Sequence, residues 1–95
     1  MREILDIFLR ESTEKERELR RAVDQSEGHE AAVALHAIAN LVSHVHALEA
    51  MEKARRLERD ILDGKEAEAF EGARVLLEEF GEISRAVKEF RKTLD

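Results

Sequence analysis

LHAIANLVSHVHALEA, residues 35–50, is the stretch on which the fold turns, because its apolar residues repeat with a helical period while three of the chain's four histidines lie inside it. At about 100° per residue, with Leu35 as zero, Ala31, Ala34, Leu35, Ile38, Leu41, Val42, Val45 and Leu48 share an arc of roughly 140°. The spacing predicts one helix from about Glu30 through this segment, with that arc as its core face. His36 then points about 170° from the centre of the arc. Ala32, Ala39, Asn40, Ser43 and Ala47 share this outer face, and Val33 lies at about 160°. A face shaped only for solubility carries Lys and Glu. Small residues around one imidazole instead leave it open to something large, such as the surface of another protein. His46 falls about 20° from Leu35 at the edge of the apolar arc, and His44 about 180° away on the far flank. His29 falls nominally on the His36 face, although it adjoins Gly28.

Working outward, Ile4, Leu5, Ile7 and Phe8 show helical spacing near the start, and Leu19, Ala22 and Val23 resume an apolar edge within a charged surface. Thr13 followed by Glu16 fits a capping box, so a break near Ser12 and Thr13 is an expectation. The first clear turn is at Gly28, and Asp63 with Gly64 marks another after AMEKARRLERDIL. The last segment carries Phe70, Val75, Leu76 or Leu77, Phe80, Ile83, Val87, Phe90 and Leu94 in a stripe. Gly72 and Gly81 fall inside it, each costing about 1 kcal/mol relative to Ala, and close helix packing accounts for such a cost. Four main helices joined by short turns predict an all-α, antiparallel up-down four-helix bundle, with a short extra N-terminal helix if the chain breaks at Ser12. Residues 1–95 are read as a single domain. A single extended coiled coil lacks the sustained heptad it needs.

Composition narrows the function classes. Charged residues make up 40% of the chain and proline and cysteine are absent, which suits long amphipathic helices and excludes both a disulfide scaffold and a thiolate zinc site. A net charge of -6 disfavours phosphate backbones and anionic membranes, so nucleic acid is not an expected partner. The opening residues MREILDIFLRE lack a signal-peptide pattern, and no apolar run approaches the ~20 residues of a membrane span. A soluble, cytoplasmic protein is expected, and a bundle of this size closes its own core as a monomer.

A histidine side chain has an ordinary pKa of about 6.5 and so keeps a large neutral fraction near neutral pH, with one ring nitrogen free as a nucleophile. An exposed imidazole on a rigid helix can take a phosphoryl group from an acyl phosphate. No Ser or Cys nucleophile with an orienting acid is evident, so hydrolase chemistry of that kind finds no support. His36, Asn40 and His44 stand at i, i+4 and i+8, but Asn40 is a poor transition-metal ligand and nothing completes a shell; no metal site is expected.

Several stretches together carry a resemblance across nearly the whole chain. IFLREST, ELRRAVDQSEGHEAA, LHAIAN and ARRLERDILDGKEAEAFEGARVLLEEFGEISRAV follow in order the layout of the histidine-containing phosphotransfer (HPt) domains of two-component phosphorelays. LHAIAN aligns with that family's Ala-His-x-Leu-Lys-Gly motif, and the resemblance implies His36 as the phosphorylated residue. Ten and eleven residues later, where the family commonly has Gly-Ala or Gly-Leu, this chain has His46 and Ala47. Leu57, Glu58, Gly64, Leu77, Glu79 and Phe80 stand at matching places. The motif departs from the family at two positions: its Lys is Ala39 and its Gly is Asn40. That Lys supplies positive charge beside the phosphoryl group. Asn40, one helical turn from His36, can donate an amide hydrogen bond but no charge.

The resemblance implies a phosphocarrier without intrinsic kinase or hydrolase activity. His36 would accept a phosphoryl group from a receiver-domain aspartate and return it to another receiver, with Asn40, Ala39 and Ser43 beside the phosphoryl group and Ala32, Val33 and Ala47 as the docking face. The expected partners are response-regulator receiver domains or a hybrid histidine kinase. No cofactor is expected on this chain, because the receiver brings Mg2+ and a lysine. The phosphoacceptor domain of a chemotaxis-type histidine kinase resembles the same bundle. Two alternatives are a degenerate HPt-like bundle acting as a non-catalytic interaction module, favoured by Ala39 and Asn40, and an unrelated or engineered helical bundle.

Overall fold

The structure is a computed structural model that describes residues 2–94. It contains α1 (Arg2–Asp24), α2 (Gly28–His44), α3 (Leu48–Leu62) and α4 (Glu66–Lys92). Each helix packs on the next in sequence, and α4 closes against α1. With tight turns between them, this is the antiparallel up-down four-helix bundle expected from the periodicity.

The expected break at Ser12 does not occur. Leu5, Phe8, Ser12, Leu19, Ala22 and Val23 form one buried stripe along an unbroken α1, so Ser12 lies inside the core seam. Thr13 Oγ1 donates to the Leu9 carbonyl at 3.3 Å, one turn back within the helix, rather than capping a new one. Burial of a continuous stripe outweighs the local capping signal. It leaves the Ser12 hydroxyl buried with no hydrogen-bond partner among the described residues.

All three turns share one backbone design. The N–H groups of Glu27, Ala47 and Lys65 donate to the carbonyls of Ala22, Val42 and Asp60 at 2.8, 3.0 and 2.8 Å. Those of Ser26, His46 and Gly64 donate three residues back at 3.1 Å in each case. These are Schellman caps, which require a left-handed residue just after the helix. Ser26, His46 and Gly64 occupy it with φ of 54°, 60° and 87°. Only the last is glycine. The turn at residues 45–47 therefore carries no glycine signal, and it divides the segment read above as one helix. His46 is an exposed turn residue rather than the edge of an apolar arc, Val45 is half-buried, and Leu48 is exposed on the first turn of α3.

The core centres on Phe8, Leu19, Leu35, Ile38, Val42, Leu76 and Phe80. Phe8 and Phe80 meet edge to face, with centroids 6.2 Å apart, and tie α1 to α4. On α2 the expected core residues Ala31, Ala34, Leu35, Ile38, Leu41 and Val42 are buried, but so are Ala32 and Ala39. A helix that touches two neighbours buries a wider arc than one stripe. On α4, Val75 and Phe90 are exposed despite their place in the apolar repeat, as are Ile4 and Ile7 on α1.

The two helix-interior glycines of α4 differ. A Cβ on Gly72 would stand 2.5 Å from Leu57 Cδ2, so the tip of that α3 side chain occupies the space left by the missing methyl. A Cβ on Gly81 would meet nothing closer than Glu16 Oε1 at 3.8 Å. Interhelical ion pairs decorate the rim: Arg74 with Asp24 at 3.0 Å, Lys53 with Glu79 at 2.8 Å, and Arg91 with Asp6 at 2.7 Å. Such surface pairs contribute little energy each and mark the register more than they hold it.

Candidate functional site

His36 sits midway along α2 with its side chain 66% exposed. Its Nδ1 lies 3.3 Å from both carboxylate oxygens of Glu58, which projects from α3. The pairing follows from the hairpin: in an antiparallel pair of helices, residues equally far from the turn come level. Residues 36 and 58 are each eleven positions from Ala47, in the turn between α2 and α3. A carboxylate only accepts hydrogen bonds, so this contact selects the tautomer with the proton on Nδ1. Nε2 is then left with its lone pair, on the side of the ring away from Glu58.

Beside the ring is a shallow depression of about 250 Å3 lined by His29, Ala32, Val33, His36, Glu58 and Leu62. Val33 is 57% exposed and Leu62 69%. A depression below the roughly 300 Å3 usual for small-molecule pockets, edged by exposed apolar side chains, suits contact with another protein's surface. A larger depression, about 540 Å3, lies along α1 and α2 with Glu18, Arg21, Glu27 and Glu30 in its lining, and it shares His29 and Val33 with the one beside His36.

The remaining residues expected at the site are not all there. Asn40 is exposed one turn from His36, as expected. Among the described residues its carboxamide has no hydrogen-bond partner, while its backbone carbonyl accepts from Ser43 Oγ at 2.6 Å. The Ser43 hydroxyl is thus committed to the backbone. Ala39 is 2% exposed and Ala32 5%, because α3 packs on that flank of α2. Neither offers the open surface expected of it, although Ala32 still forms part of the floor of the depression. Ala47 belongs to the turn, about 16 Å from His36 along the helix axis, and is not part of this face. Of the expected docking residues, Val33 alone is exposed beside the histidine.

His44 closes α2 about 12 Å along the axis from His36 and lines a separate depression with Ile4, Ile7, Phe8 and Leu41. Among the described residues, no group of three or more His, Cys, Asp and Glu could hold a metal ion, and no helix is long and apolar enough to cross a membrane.

Sequence reasoning missed the role of Glu58 and Leu62. Glu58 entered it only as part of the layout on the third helix. Knowing that the chain reverses at His46 would have placed it opposite His36, but a reversal without glycine gave no local sign.

No family model, curated protein or solved structure matches this chain.

Proposed function

We propose that this chain is a histidine phosphotransfer module, in which His36 Nε2 takes a phosphoryl group from the aspartyl phosphate of a receiver domain and passes it to another receiver. The observation that carries the reading is the His36–Glu58 contact. It presents one ring nitrogen outward from a rigid helix and holds the proton on the other. In the forward step the Nε2–P bond forms as the aspartyl O–P bond breaks, and the electron pair of that bond leaves on the aspartate carboxylate. Glu58 stabilises the positive charge that develops on the imidazole. The receiver supplies Mg2+ and a lysine for the charge on the transferring group.

The resemblance puts a glycine of the family at the position of His46, which here closes the α2–α3 turn with φ of 60°, as Ser26 and Gly64 close the other two turns with positive φ.

The test is to incubate the protein with phosphorylated receiver domains and Mg2+, then read intact mass at neutral or basic pH, because phosphohistidine is lost in acid. A gain of one phosphoryl group in the native protein and none in His36→Gln is the expected result. A gain in His36→Gln overturns the assignment.

A second reading, a non-catalytic interaction module, is favoured by the burial of Ala39. A lysine introduced at 39 would have to displace α3, so it cannot report on missing charge. Asn40→Lys tests the point on the exposed side of the same turn. A faster phosphoryl gain means that transfer is limited by charge; no phosphorylation in either protein with any receiver favours the interaction module.

A further inference from the structure

We propose that two copies of this chain join end to end about a two-fold axis, through an overhang of α1 and α4 that runs past the α2–α3 turn. This does not depend on the phosphotransfer reading, and it departs from the monomer expected of a bundle that closes its own core.

The overhang follows from helix lengths. α4 has 27 residues against 15 in α3, and α1 has 23 against 17 in α2. The α1–α2 and α3–α4 turns lie at one end of an up-down bundle, so the excess length gathers at the other, beside the α2–α3 turn. At 1.5 Å per residue the longer pair projects about 18 Å past α3 and about 9 Å past α2.

The apolar stripes do not stop where the covering helices stop. Phe90 falls five full turns after Gly72 on the same face of α4, and Gly72 meets Leu57 of α3. At Phe90 no α3 remains to cover that face, and the residue is 52% exposed. On α1, the exposed Ile4 and Ile7 border a depression with Leu41 and His44 at the end of α2. A second depression, about 500 Å3, opens where α3 begins, with Leu48 and Ala50 on one side and Ile83 and Ala86 of α4 on the other. Leu48 on its rim is exposed as well. Apolar residues left open together at one end of a bundle mark an interaction surface.

What fits this step is another step. Turned over about an axis across the bundle, a second copy places its own overhang where α2 and α3 are missing, with its α4 in the place of α3 against the first α4. Phe90 of each copy then comes near Ala86 of the other, whose small side chain leaves room for a ring. The C-terminus of α4 in one copy points at the N-terminus of α3 in the other, so opposite ends of two helix dipoles meet. That N-terminus has no side-chain cap and carries Glu49 in its first turn, while α4 carries Arg91 and Lys92 in its last. A patch that contacts itself closes at two copies. The area buried is on the order of 1,000 Å2 in total, near the floor for a specific interface, which gives a weak, concentration-dependent dimer. His36, midway along α2, stays clear of the overhang and exposed in each copy.

Sedimentation velocity from about 1 µM to about 1 mM covers the range in which so small an interface associates. The expected result is a shift from monomer to twice the monomer mass, with nothing larger. Phe90→Glu and, separately, Ile7→Glu should raise the midpoint concentration at least about tenfold, since each puts a charge in the centre of the contact. Val75→Glu, at a residue as exposed on α4 but alongside α3, should leave the midpoint unchanged. Glu49→Lys and Lys92→Glu should each weaken the dimer, and the two together should recover much of it, because the pair is then only reversed. All five positions are exposed, and circular dichroism melts establish that each variant is folded. A protein that stays monomeric to the highest concentration overturns the proposal. So does a dimer that Phe90→Glu and Ile7→Glu leave intact, or a double charge variant weaker than either single one.

Discussion

His36 Nδ1 and the Glu58 carboxylate, 3.3 Å apart, join two helices across the α2–α3 groove and set which ring nitrogen faces outward. In a neutral ring the carboxylate favours the tautomer with the proton on Nδ1, as an orienting acid does in other histidine sites. On the proposed phosphotransfer reading, Glu58→Ala is expected to slow phosphoryl acceptance by His36 about tenfold, because tautomer preference and charge stabilisation are both lost at an exposed site. Nitrogen-15 NMR of the ring separates this from a structural role. The native protein should carry its proton on Nδ1, and the variant should show a mixture. A single Nδ1–H tautomer that persists in Glu58→Ala would remove the role assigned to Glu58.

The shared turn design makes a second prediction. Ser26 and His46 hold left-handed φ values of 54° and 60° at positions where Gly64 holds 87°. A residue with a Cβ pays about 1 kcal/mol to stay there, and glycine does not. Ser26→Gly and His46→Gly should each raise stability by about 1 kcal/mol, and Gly64→Ala should lower it by a similar amount. Urea denaturation midpoints at constant slope measure all three. A loss of stability in His46→Gly would mean that its side chain does something in the turn that outweighs backbone strain.

Inside α4 the two glycines are predicted to part company. Gly81→Ala meets only ordinary contact at 3.8 Å, so it should gain about 1 kcal/mol from helix propensity. Gly72→Ala brings a methyl to 2.5 Å from Leu57 Cδ2 and forces that side chain to move, which offsets the gain. Thermal or chemical melts that rank Gly72→Ala above Gly81→Ala would contradict the crowding of Gly72 by Leu57.

Asp6 makes a pH prediction. The Arg91 guanidinium hydrogen-bonds its carboxylate through Nε at 2.7 Å and through Nη2 at 3.4 Å, and this pair holds the Asp6 carboxyl below its ordinary value of 3.8. A carboxyl depressed in the folded state adds stability above its unfolded pKa, and that contribution disappears as pH falls through the folded pKa. Asp6→Asn should therefore differ from the native protein above about pH 4 and converge with it in stronger acid, with a smaller difference at high salt because the pair is exposed. Melting curves from pH 2 to 7 test this. A native–variant difference that widens on acidification would reverse the assignment.

Much of this protein can be read from residue order alone. The 3.6-residue repeats in each segment, the turn at Gly64 and the core residues Leu19, Leu35, Ile38, Val42, Leu76 and Phe80 all follow from periodicity, because each helix must bury one face. His36 as an exposed residue opposite the core arc also follows from helical geometry. Three other features do not. The continuity of α1 through Ser12 depends on a stripe completed only by packing against α2 and α4. The burial of Ala32 and Ala39 depends on α3 lying on their flank, which no periodicity within α2 specifies. The pairing of His36 with Glu58 depends on where the chain reverses, and His46 reverses it through a backbone conformation that its side chain does not announce. Local sequence determined the helical periodicity and the exposed imidazole, since those follow from the spacing of residues along one chain segment. Only the tertiary structure decided what faces that imidazole, because contacts between helices are set by turn position and interhelical packing.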